Sequence, residues 1–129
     1  MRILLAMDVD GTFWTDEDKS EYICGMIDPH KLLEKIITEC DDEGLDVGVY
    51  IVSESPFYPK TNIGENMFPV INDQASRYYN LLKVKEDYGK ADICLYIDDQ
   101  AIWKKDAENA GFIYVEANMF ADMFGVRHE

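Results

Sequence analysis

The hydrophobic positions of this chain fall into short solid runs separated by stretches with helical spacing, and their alternation sets the expected architecture. Arg2 to Met7 is an apolar run of strand length that stops at Asp8. Asp28-Pro29 then opens a helix, with the aspartate as N-cap and the proline at the first helical position, where a missing N–H costs nothing. Leu32, Leu33, Ile36, Ile37 and Cys40 follow at helical period as the stripe that faces a core. Gly44 punctuates, and Val47 to Val52 is a second strand run. A loop over Pro56 to Asn66 precedes a short third strand, Phe68 to Ile71, and Asp73 to Tyr88 is helical by pattern, ended by Gly89. Ile93 to Ile97 is a fourth strand. A helix over Ala101 to Ala110 stopped by Gly111, a fifth strand over Phe112 to Val115 and a short helix over Met119 to Phe124 complete the pattern.

Strands alternating with helices predict an α/β fold: a doubly wound, three-layer, Rossmann-like sheet of about five mainly parallel strands with helices on both faces. The chain has 129 residues and no repeat, low-complexity tract or composition shift, so a single domain over 1–129 is expected. Trp103 and the Phe120, Met123 and Phe124 cluster read as core, Trp14 as packing, and His30 and His128 as structural or exposed. The longest apolar run near the start, Ile3 to Met7, is too short for a signal peptide or a membrane span, which makes a cytoplasmic location without membrane partners the expectation.

Charge and cysteine content narrow the chemistry. The formal net charge is −14, a surface that repels phosphate backbones and argues against general nucleic-acid binding while attracting divalent cations. Cys24, Cys40 and Cys94 are odd in number and lack CxxC spacing, so neither a zinc site nor a disulfide framework is implied.

In a parallel sheet ligands bind beyond the carboxyl ends of the strands, near the switch in strand order. Here the first strand runs into Asp8-Val9-Asp10-Gly11-Thr12, the second into Ser53, and the fourth into Asp98-Asp99. One hydroxyl and the carboxylates of Asp8, Asp10, Asp98 and Asp99 are therefore expected along one edge. Such crowding is costly unless a cation offsets it, and hard oxygen donors suit Mg²⁺. A calcium loop starting at Asp8 would need glutamate at its twelfth position, where Lys19 stands. Taken singly, Ser53 would read as a turn residue, Asp98-Asp99 as a helix cap before Ala101, and Arg77 as part of a solvated helix face.

Asp8-Val9-Asp10-Gly11-Thr12 after an apolar strand resembles the first signature of the haloacid-dehalogenase superfamily. Ser53 is similar to its second signature, and Asp98-Asp99 to the paired-aspartate form of its fourth. The resemblance implies that Asp8 attacks phosphorus and that Asp10 protonates the leaving oxygen and then activates water. It further implies Mg²⁺ held by Asp8, the Asp10 carbonyl and Asp99 with support from Asp98, and phosphoryl oxygens held by Ser53 and by groups at Gly11 and Thr12. For the basic third signature Arg77, nearest the helix start, is the choice, with Lys83, Lys85 and Lys60 as alternatives. Residues 13 to 27 and the stretch after Ser53 are too few to fold as a cap domain, so the resemblance is to a capless member, with the magnesium-dependent phosphatase-like branch as the nearest likeness. The expected function is Mg²⁺-dependent hydrolysis of a phosphate monoester on a small molecule or a macromolecule. A phosphotransferase or phosphomutase would use the same residues, and a non-catalytic regulatory domain would keep only the fold. Carbon–halogen cleavage is disfavoured by Asp10, since a halide needs no acid to leave. A receiver domain fits poorly, because receivers place their acceptor at the third strand.

Overall fold

Each strand forms on a run rich in apolar residues, with β-branched and aromatic ones prominent in the second, fourth and fifth. The first, second and fourth give way at Asp8, Ser53 and Asp98-Asp99. In the computed structural model, which describes residues 1–8, 12, 26–54, 68–72 and 76–128, the strands are β1 (Arg2–Met7), β2 (Asp46–Val52), β3 (Val70–Ile71), β4 (Ile93–Asp98) and β5 (Ile113–Glu116). The helices are α1 (Pro29–Lys35), α2 (Arg77–Tyr88), α3 (Lys104–Asn109) and α4 (Ala117–Phe124). All strand pairings in the sheet are parallel, in the order β3-β2-β1-β4-β5. The order is compatible with a Rossmann-like fold, and its switch point lies between β1 and β4.

Two apolar layers cover the sheet. Leu5, Met7, Val49, Ile51 and Ile97 point to one face, where they meet Leu32 of α1 and Phe120 and Ala121 of α4. Leu4, Ala6, Tyr50, Val52 and Tyr96 point to the other, against Leu81 and Val84 of α2 and Ala107 of α3. Strand alternation thus divides β1, β2 and β4 between two cores, as expected for strands buried on both sides. No helix among the described residues is long and apolar enough to cross a membrane.

Several local expectations hold to the residue. Asp28 caps α1, its side chain accepting from the amides of His30 at 2.9 Å and Lys31 at 3.4 Å. Gly89, at φ 92°, ends α2 in a conformation that a side chain would strain. Gly48 of β2 is required for another reason: a Cβ there would run into the ring of Tyr88.

Others need correction. The stripe predicted along the first helix is only partly buried, because after Lys35 the helix widens into a π turn over Ile36–Cys40. Thr38 Oγ1 donates to the Glu34 carbonyl at 2.8 Å, competing with the regular ladder. The wider turn swings Ile37 out to 60% exposure, while Leu32 stays buried. In the last helix Ala117, Phe120 and Ala121 face the core, but Met123 is 71% exposed and Phe124 40%. Met123 lies off the inward stripe, and Phe124 continues it only at the helix's last turn, where it stacks on Phe120 at 4.6 Å between ring centroids. The fully buried part of the expected cluster therefore reduces to Phe120. The third strand contracts to Val70–Ile71, with Phe68 in the core ahead of it. The expected helix over 101–110 divides into a 3₁₀ turn, Ala101–Trp103, and α3. Ser76 caps α2, later than the Asp73 start expected, and residues 73–75 lie outside the described residues, as do Trp14, Cys24 and the loop over 56–66.

The two sides of α4 make a direct test. Phe120→Ala should cost about 3–5 kcal/mol in urea unfolding, whereas Met123→Ala should stay within about 0.5 kcal/mol of the parent. Equal losses would contradict the orientation of this helix.

Candidate functional site

Register brings the site together. Met7 pairs with Ile51 on one side and Ile97 on the other, so β1, β2 and β4 end almost level. Asp8 follows β1, its amide extending the ladder to the Ile97 carbonyl at 3.0 Å. Asp98 closes β4 and Asp99 follows it. Ser53 follows β2, with its amide on the Ile71 carbonyl at 3.2 Å. Oxygens of Asp8, Asp98 and Asp99 lie within 4.8 Å of one another. The expected convergence of Asp8, Ser53 and Asp99 at one edge is therefore present, and it falls at the switch point.

Arg77, the first residue of α2, binds this edge to the helix layer. It is 4% exposed, which removes the reading of a solvated helix face. Its Nε donates to the Glu54 carboxylate at 2.8 and 2.9 Å. Nη2 donates to Glu54 Oε1 at 2.6 Å and to Asp8 Oδ1 at 3.1 Å. Nη1 donates to the Tyr96 hydroxyl and lies 3.6 Å from Asp98 Oδ2. A guanidinium has five N–H groups; Glu54, Asp8 and Tyr96 accept from four of its directions, and Asp98 adds an ion pair at 3.6 Å. The Trp103 ring, half-buried rather than central to the core, lies 5.0 Å from the guanidinium carbon. Burial alone would lower the Arg77 pKa, but its hydrogen bonds to Glu54 and the nearby Tyr96 and Asp8 hold it above the ordinary value.

The surrounding groups are fixed by hydrogen bonds. Tyr96 is fully buried, and burial first, then the charges of Asp98 and Asp8, push its phenol far up, so it remains a neutral donor. It donates to Asp98 Oδ2 at 2.5 Å, while Asp98 Oδ1 accepts from the Gln100 amide at 3.0 Å. Both oxygens of Asp98, 1% exposed, are thus already engaged. Asp99 is more open, and its carboxyl is pushed up to about 6 by burial and by its hydrogen bond and charge contact with Asp98. Burial is the larger cause, and the negative charge of Asp98 adds the part that a divalent cation would relieve. The cluster could hold a metal ion, with Asp8 and Asp99 as its hard-oxygen donors, since both oxygens of Asp98 are fixed inside the protein; such donors are of the kind Mg²⁺ takes.

The remaining expected site residues are placed as follows. Thr12 is fully buried; its carbonyl accepts from the Ile27 amide at 2.9 Å, and its hydroxyl oxygen has no hydrogen-bond partner among the described residues. Asp10 and Gly11 lie outside the described residues, as does Lys60. Lys83 stands 3.9 Å from Glu86 on the outer side of α2, and Lys85 donates to the Ala110 carbonyl at 3.1 Å, so neither joins the cluster.

Glu54, Asn80 and Tyr96 were not anticipated. Asn80, fully buried, donates through Nδ2 to the Ser53 carbonyl at 3.3 Å and to Glu54 Oε2 at 3.1 Å. Two signals pointed to them: Tyr96 shares a strand face with Asp98 at period two, and Asn80 shares a helix face with Arg77 at i, i+3. Glu54 had none beyond standing next to Ser53.

No family model, curated protein or solved structure matches this chain.

Removing the central cation should be costly. Arg77→Met leaves Asp8, Glu54 and Asp98 without their shared counter-charge and should destabilise the protein by about 3–5 kcal/mol at neutral pH. Arg77→Lys should recover only part of this, because an ammonium cannot span the fork. Urea unfolding checks both; an Arg77→Met protein within about 0.5 kcal/mol of the parent would mean that the network contributes nothing to stability.

Proposed function

We propose that this protein is a Mg²⁺-dependent phosphatase of the haloacid-dehalogenase type, hydrolysing a phosphate monoester through an aspartyl-phosphate at Asp8. The observation that carries the reading is the meeting of Asp8, Asp98 and Asp99 oxygens within 4.8 Å, against the buried Arg77, at the switch point of a parallel sheet. Phosphoryl transfer rests on positioning and charge neutralisation, and these groups supply both.

The steps follow from the residues. A carboxylate oxygen of Asp8 forms a bond to phosphorus as the ester P–O bond breaks, and the leaving oxygen takes its proton from Asp10. Asp10, now a carboxylate, accepts a proton from water as that water attacks the aspartyl-phosphate and releases inorganic phosphate. Asp8 and Asp99 would hold the metal, with the Asp10 carbonyl as a further ligand. When bound, Mg²⁺ would neutralise charge on the phosphoryl oxygens. Asp98, with both oxygens engaged inside the protein, serves by positioning its neighbour. Ser53, Gly11 and Thr12 are the proposed phosphate contacts of the chain's own loops. The stretches after Thr12 and Ser53 are too short for a cap domain, and an open site suits either a small phosphate ester or a phosphorylated macromolecule in the cytoplasm. A phosphotransferase would differ only in the acceptor. The engagement of the Arg77 fork by Glu54 and Asp8 is the one observation that favours a non-catalytic regulatory domain instead.

Hydrolysis of an aryl phosphate, with and without Mg²⁺, decides between these readings. Turnover should require Mg²⁺ and vanish in Asp8→Asn; full activity in that variant would eliminate the covalent mechanism. Asp10→Asn should slow alkyl esters by about 10²- to 10⁴-fold and aryl esters less, because an acidic phenol leaves without a proton. Calorimetric titration should show Mg²⁺ binding greatly weakened in Asp99→Ala, and unchanged affinity there would remove this metal site.

A further inference from the structure

We propose that Glu54 is a built-in competitor for phosphate: its carboxylate occupies the two-donor edge of Arg77 beside Asp8, and a phosphoryl group gains that edge by displacing it. The identity of the incoming anion rests on the phosphatase reading; the occupied fork does not.

Carboxylates and phosphates engage a guanidinium in the same bidentate manner, through two parallel N–H groups. Glu54 holds Nε and Nη2 of Arg77 in that way, at 2.6 to 2.9 Å. The same Nη2 also donates to Asp8 Oδ1 at 3.1 Å. An anion in the place of the Glu54 carboxylate would therefore lie next to the Asp8 carboxylate.

Among the described residues three carboxylates meet Arg77, and of these Glu54 is the one placed to exchange. Asp98 is 1% exposed and fixed at both oxygens by Tyr96 and Gln100. Asp8 is the attacking group and leaves β1 directly. Glu54 is the most exposed of the three, at 22%, and lies two residues past the end of β2. Its departure would leave the buried Arg77 Nε–H without an acceptor unless the incoming anion takes its place. Asn80 Nδ2, its other partner, keeps the Ser53 carbonyl at 3.3 Å. Displacement exchanges one charge-assisted pair for another, so Glu54 weakens ground-state binding of anions without altering the attack by Asp8. Anions that cannot match the fork, or that lack Mg²⁺ as a second anchor, fail to displace it. Glu54 is thus a specificity-determining residue.

The test uses the full chain with Mg²⁺ and inorganic phosphate as the probe. In Glu54→Gln, which keeps the shape and removes the charge, phosphate should bind on the order of tenfold tighter by calorimetry. KM for an aryl phosphate should fall by a similar factor while kcat stays within about twofold. A residue that merely steadied Arg77 would leave phosphate affinity unchanged or weaken it, and that result overturns the proposal. Should the variant fail to fold, the parent protein supplies the second measurement: titration with phosphate should shift the Arg77 Nε–H resonance in NMR spectra, and an unmoved resonance overturns it equally. Tighter phosphate binding without turnover in either protein leaves this proposal standing and removes the phosphatase reading. Turnover in both with equal KM and equal phosphate affinity does the reverse.

Discussion

The guanidinium of Arg77 is the group on which the rest of the site depends. The ends of β1, β2 and β4 all carry acidic groups toward it, as Asp8, Glu54 and Asp98, and parallel register leaves these chains no room to separate. Charges taken so far from water are tolerated only when each is paired and hydrogen-bonded. Arg77 meets that demand with a planar fork that pairs Glu54 and Asp8 by hydrogen bonds and Asp98 by charge, and Tyr96 and Asn80 complete the network from the strand and helix layers. A cation at the first residue of α2 runs against the helix dipole, and the surrounding carboxylates outweigh that small penalty.

One consequence is that fold and site share their stabilisation. The face of the sheet that carries Tyr96 also carries Leu4, Val52 and the buried side of α2, so the polar network continues the apolar core without a gap. The opposite edge of the sheet is held differently, by Arg2, which pairs with Asp46 at 3.1 Å and lies 4.3 Å over the Tyr88 ring. Exposed pairs of that kind contribute little, about 1 kcal/mol or less, whereas a broken buried pair costs several. The carboxyl edge is therefore both the chemically rich and the energetically sensitive end.

Much of the frame was legible in the residues. The bounds of β1, the Asp28 cap, the stop at Gly89 and the meeting of Asp8, Ser53 and Asp99 all follow from local rules of period, capping and topology. What escaped those rules depends on distant neighbours. The π turn reflects a competition for the Glu34 carbonyl that spacing does not reveal. Met123 and Phe124 are as apolar as Phe120, and only the packing of α4 decides which of them is covered. Arg77 was expected to face either phosphate or water, yet its fork is taken up by Glu54, a residue with no distinguishing pattern.

The central claim, that Asp8 is a nucleophile within a carboxylate and guanidinium cluster able to hold Mg²⁺, is tested most directly by a crystal structure of the protein with Mg²⁺ and beryllofluoride. The expected result is beryllofluoride joined to a carboxylate oxygen of Asp8, with the metal bound by Asp8 and Asp99. An adduct on another residue, or a metal held away from these aspartates, would contradict it.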